Sequence, residues 1–149
     1  VTNDRIASLF ERHGVLSKTE FMSRQEIYKE QYNKTLEIEA GVALTIARTM
    51  IIPAALRYQQ NLARTITEVE KIDSGSKQAK ALLKDISAYI EKSLTEVCKL
   101  EEALHDVHEN PKKALGIMAD LRASVDALES LIPHDLWPLP SYAEMLFMF

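Results

Sequence analysis

Cysteine is almost missing from this chain: Cys98 is the only one in 149 residues. That excludes an internal disulfide and fits a reducing compartment, so a cytoplasmic location is expected. Glycine and proline are scarce, at four and five, which leaves long windows without turn punctuation. Charge of one sign is lacking as well. The net charge is -4 and the pI about 5.6, with both signs mixed along every segment. No basic face is available for a phosphate backbone, and nucleic acid is not an expected partner. Long hydrophobic runs are absent too. Eight uncharged residues lie between Glu39 and Arg48 and eight between Arg48 and Arg57, against the ~20 needed to cross a bilayer. No membrane partner and no signal peptide are expected. The sequence begins at Val1 rather than methionine, which fits a piece of something longer.

The Ala-, Leu-, Glu- and Lys-rich windows that remain carry a period near 3.6, and the fold class expected is all-α. The length suits one helical domain, residues 1–149, able to remove ~68 to 70% of its extended-chain surface from water. Its organising stretch runs from Lys18 to about Ile72. Gly41 to Leu56 is apolar on nearly every face, as in a helix buried among neighbours. One straight helix of this extent would be roughly 80 Å long at ~1.5 Å per residue, against a radius of gyration of ~15 Å for a compact chain of this size. Pro53 lacks the amide that would bond the Thr49 carbonyl, so a kink is expected between Thr49 and Pro53.

Around this first, very long helix the sequence predicts two others, antiparallel to their neighbours in a bundle, plus short N- and C-terminal helices. Thr2 or Asn3 can cap the first short one, which ends at His13-Gly14. Ser17-Lys18-Thr19-Glu20 has capping-box spacing, and Phe21, Tyr28, Tyr32 and Leu36 form the apolar stripe that follows. Asp73 to Ser76 reads as a turn, with Gly75 free to take positive φ and Ser76 placed as an N-cap. From Lys77 to about Glu109, Leu83, Ile86, Ile90, Leu94, Val97, Leu100, Leu104 and Val107 step by three or four. Asn110-Pro111 opens a third long helix, whose stripe runs from Leu115 through Met118, Leu121, Val125 and Leu128 to Ile132. The second and third helices are too short to cover the first, so the Lys18–Leu36 arm is the expected contact surface. After Pro133 the aromatic tail from Leu136 is too apolar to lie in water and is expected to dock on its own bundle or a subunit neighbour.

Chemistry is sparse. Glu102 and His105, with Glu101 and His108, carry the Glu-x-x-His spacing of di-iron bundles, but facing helices offer no matching pair. Histidines in a last turn also fit the partial negative charge of a helix C-terminus, and no metal-binding residue is assigned. Cys98, next to Val97, reads as a small buried residue. Arg48 and Arg57 could clamp an anion, though a buried stem with its head at the rim is the commoner case. No phosphate loop, nucleophile elbow or paired-carboxylate constellation occurs. No catalytic residue and no cofactor-binding residue is assigned.

Three stretches nevertheless resemble one family. Asp135-Leu136-Trp137-Pro138-Leu139-Pro140-Ser141-Tyr142-Ala143-Glu144-Met145-Leu146-Phe147 is similar to the C-terminal ending of type III glutamine synthetases, the large bacterial form. His13 to Phe21, with Ser23-Arg24 and Glu26-Ile27, resembles the entry into that family's C-terminal helical region, and so does Ile51-Ile52-Pro53 with Arg57-Tyr58-Gln59. The resemblance implies a parent enzyme that joins ammonia to glutamate through γ-glutamyl phosphate, with ATP and Mg or Mn in a preceding catalytic domain. It also implies a ring-based homo-oligomer. This piece would pack on the catalytic domain of the same polypeptide and on neighbouring subunits. Two alternatives stand beside it: an independent helical protein-interaction module, and a metal-binding bundle using Glu101, His105 and His108.

Overall fold

The computed structural model describes residues 4–72, 75–140 and 142–146. Among them every regular element is helical. Helix α1 spans Asp4–Arg12, α2 Lys18–Ile46, α3 Ile52–Glu70, α4 Lys77–His105, α5 Pro111–Glu129 and α6 Tyr142–Leu146. The proposed caps Thr2 and Asn3, the turn residues Asp73 and Ser74, and Ser141 and Phe147 of the tail lie outside the described residues.

Helix α1 stops where glycine permits it. Gly14 has φ 62°, the Val15 amide reaches back to the Phe10 carbonyl and the Gly14 amide to that of Glu11. That pair of bonds is a Schellman ending, with glycine at the left-handed position. Four residues later α2 opens with the full capping box. The Ser17 hydroxyl accepts from the Glu20 amide at 3.2 Å, and the Glu20 carboxylate accepts from the Ser17 amide at 2.8 Å. The Ser17 hydroxyl, donating to the Glu20 carboxylate at 2.7 Å, and the Ser17 amide together hold that carboxyl below its ordinary range.

From Lys18 to Glu70 the helix is continuous over 53 residues. Where a kink is expected before Pro53, the structure has a five-residue π-helical turn, Ala47–Ile51. The Ile52 amide bonds the Ala47 carbonyl, five residues back. A turn widened in this way shifts the bonding register just ahead of a residue that has no amide to offer. The Thr45 and Thr49 hydroxyls donate to the carbonyls of Gly41 and Thr45, one turn back, a pairing that also perturbs a helix locally. Gly41 leaves open space, since a Cβ there would meet nothing within 4 Å.

Cross-helix pairs give the direction of the packing. Asn33 bonds the carbonyl of His108, Arg48 meets Glu101, Gln59 meets Ser87 and Glu70 meets Lys80. As the first number rises the second falls, so α4 runs antiparallel to the long rod. Helix α5 reverses again: Ala103 and Val107 cluster with Ala114, Val97 and Leu100 with Leu121, and Ile86 and Ile90 with Leu128. At the centre of the α4–α5 seam the buried hydroxyls of Ser93 and Ser124 meet at 3.0 Å, and Ser124 donates on to the Leu121 carbonyl.

Several local expectations change. Ser76 does not cap α4 with its side chain but donates to the Glu70 carboxylate, which Lys80 also engages. Asn110 makes no side-chain cap either, while Pro111 does open α5. Helix α4 ends at His105 and α5 at Glu129, yet Val107 and Ile132 beyond those ends remain buried. Leu94 and Leu115, both on the expected stripes, are exposed.

Two substitutions test this packing. Leu100→Ala, at a fully buried position, is expected to lower stability by ~2–5 kcal/mol, seen as a fall in denaturation midpoint. Gly116→Ala places a methyl where nothing lies within 4 Å on helix α5, and is expected to raise stability by ~1 kcal/mol in the same assay.

Candidate functional site

The candidate surfaces follow the rod from its tip to its middle. At the tip α1 folds onto α2, with the Phe10 and Phe21 rings 5.6 Å apart between centroids. A cleft of about 440 Å³ remains there, lined by Phe10, Leu16, Phe21, Arg24 and Tyr28. The expected stripe of the arm divides. Phe21 meets α1 and Leu36 is buried against Ala103, Val107 and Ala114, whereas Tyr28 and Tyr32 are exposed. Asn33 is buried beside Leu36, its amide nitrogen on the His108 carbonyl at 3.2 Å and its Oδ1 without a protein partner.

At the middle, the π turn carries Arg48 outward to Glu101. Both guanidinium Nη atoms engage the carboxylate, at 3.0 and 2.6 Å. These hydrogen bonds, reinforced by the charge attraction, lower the Glu101 carboxyl from its ordinary value of 4.5 and raise the Arg48 guanidinium. Arg48 is therefore a clamp, but on a carboxylate of its own chain. Arg57 is exposed. On the other side of the π turn a cleft of about 370 Å³ opens between Ala43, Ile46 and Ala47 of the rod, Met118 and Val125 of α5, and Leu139 of the tail.

The tail docks on its own chain. After α5 the Trp137 amide bonds the carbonyls of Pro133 and His134. Leu136 and Trp137 then pack over Ala55, Ile86, Leu128 and Ile132. Trp137 Nε1 is buried without a protein partner. His134 meets Glu144 of α6 at 3.4 Å.

The residues of the metal reading do not converge. Glu101 is taken by Arg48, and His108 Nε2 points to Glu37 of the arm at 3.2 Å. Among the described residues no three His, Cys, Asp or Glu side chains are grouped to hold an ion. Cys98 corrects its expectation: it is exposed, one helical step round from buried Val97, and the Arg48 guanidinium lies within its electrostatic reach. Sequence reasoning also missed Glu96, a buried carboxylate held by Lys99 at 2.8 Å.

A protein-family model described as "Glutamine synthetase C-terminal domain" matches residues 1–70, which are α1, the arm, the π turn and α3. Over that segment the chain is similar to glutamine synthetase C-terminal domains. Similarity to individual glutamine synthetases extends past the matched segment. A protein named "Type-3 glutamine synthetase" from Dictyostelium discoideum is 25% identical over 99% of this chain, and a "Glutamine synthetase" from Butyrivibrio fibrisolvens is 30% identical over 97%. A third, from Bacteroides fragilis, is 28% identical over 89%. The chain spans 22% of the length of the first two and 20% of the third. Because one relative is from Dictyostelium, similarity to these proteins alone does not make the source bacterial.

Stability should carry the mark of the Arg48–Glu101 pair. The folded carboxyl titrates below its ordinary value, so its contribution is fully present above about pH 4.5 and is lost as pH falls through the lowered folded value. Glu101→Gln is expected to melt slightly below the parent at pH 7 and to converge with it in acid, read by thermal denaturation across pH.

Proposed function

We propose that this chain is a support and assembly domain of a type III glutamine synthetase. It is read as the C-terminal part of a larger polypeptide whose other portion carries the ATP- and Mg- or Mn-dependent amidation of glutamate by ammonia. The rod, α4 and α5 act together as one antiparallel bundle that bears on that catalytic portion and on neighbouring subunits of a homo-oligomer in the cytoplasm. The observation that carries this reading is the near-complete match of the chain to about a fifth of each relative. The residue chemistry supports it, since the strongest polar groups are spent on each other: Arg48 on Glu101, Asn33 on the His108 carbonyl, Ser93 on Ser124. Such pairs fix helix register and leave little for substrate.

Two measurements test the reading together. The purified chain, given ATP, glutamate and magnesium, is expected to form no γ-glutamyl phosphate. Removing these residues from the complete polypeptide is expected to lower its assembled mass and its glutamine-forming activity. Phosphate transfer by the isolated chain, or full activity and native mass after the deletion, contradicts the proposal.

A further inference from the structure

The most apolar part of the rod is covered by its own chain on one side only. An 18-residue window of the Lys18–Glu70 helix is apolar enough to cross a membrane, yet only 33% of it is buried. The buried third is the side that meets α4 and α5, including Ala40, Ala47, Ile51 and Ala55. On the opposite side stand Ile38, Val42, Thr45 and Thr49, spaced four, three and four, which keeps them on one stripe of a helix. All four are exposed, Ile38 at 67% and Val42 at 52%, and none is charged. The two threonine hydroxyls are turned onto backbone carbonyls one turn back, so their hydrogen-bonding capacity is met within the helix. Gly41, between Ile38 and Val42, lets a partner approach closely, with nothing within 4 Å of where its Cβ would be.

From this we infer that the Ile38–Thr49 face of the rod is the surface on which the catalytic portion of the same glutamine synthetase polypeptide is seated. The inference rests on the support role proposed above and adds the place of contact. Three observations choose this occupant. The chain spans only 22% of its relatives' length, so a large linked partner is available, and linkage gives it an effective concentration that a separate copy lacks. The family match to residues 1–70 contains the whole face. A bilayer fits less well: Arg48 sits within the apolar stretch, ion-paired to Glu101, and α4 runs alongside with exposed Glu91, Lys92, Lys99 and Glu102. Entry of the rod into hydrocarbon would carry those charges with it.

The test uses the complete polypeptide with Cys98→Ser and a single cysteine introduced by Ile38→Cys, Val42→Cys or Thr45→Cys, and with Lys92→Cys on α4 as the reference. Maleimide labelling is followed by peptide mass spectrometry, each rate normalised to the denatured protein. Labelling at the three rod positions at least ~10-fold slower than at the reference is expected, as for sites reached only by rare opening. Hydroxyl-radical footprinting of the unsubstituted polypeptide provides a second reading that needs no variant, with protection of Ile38 and Val42 expected. Fast labelling and oxidation in a polypeptide that still makes glutamine overturn the assigned face and leave a support role on another surface. Protection lost on dilution (a second copy), or gained only with phosphatidylcholine–phosphatidylglycerol vesicles, overturns the assignment as well.

Discussion

The fold depends on the two-sided burial of α4. Ile86, Ile90, Ser93, Val97, Leu100 and Ala103 are withdrawn from water at steps of three and four, packed against the rod on one flank and α5 on the other. Each large apolar side chain buried in this way contributes ~1.5–3 kcal/mol, and that sum gives the rod its place. Long helices in water take most of their stability from such packing rather than from intrinsic propensity. The polar pairs along the seam set register: Ser93 against Ser124 on one side, Gln59 against Ser87 and Arg48 against Glu101 on the other.

The π turn fits into this picture as a compromise between sequence and packing. Pro53 removes a bond from the middle of the best-covered part of the rod, where Ile51, Ile52, Ala54 and Ala55 are all buried. Breaking the helix there would disturb the contact with α4. A wider turn over Ala47–Ile51 keeps the rod continuous and swings Arg48 to Glu101. The irregular turn thus lies between the ion pair and the apolar cleft, at the place where all the long elements meet.

Much of this was legible in the sequence because it is written locally. The Ser17–Glu20 capping box, proline at the start of α5 and the all-helical class each follow from a few adjacent residues. Sequence pattern and structure part where chemical type and position disagree. The inward track of α4 runs 86, 90, 93, 97, 100, and its middle place is held by Ser93; a search for apolar residues takes Leu94 instead, which points outward. On α5 Ser124 likewise takes a fully buried place, while its neighbour Val125 is partly buried against the core, as its stripe predicts. Cysteine is usually buried, which points Cys98 to the interior, but Val97 already fills that position and Cys98 is exposed. The π turn, the Arg48–Glu101 pair and the His108–Glu37 contact depend on which residues come opposite one another across helices, and that information is not local.

The family-matched segment and the physical unit differ in extent: the match ends at residue 70, whereas the cover of the rod comes from α4, α5 and the tail. The account is therefore tested most directly by expressing residues 1–76 alone and following far-ultraviolet circular dichroism during heating. A rod that relies on α4 and α5 loses its cooperative transition and most of its helix signal at room temperature. A fragment that stays helical and melts cooperatively at the temperature of the whole chain would contradict it.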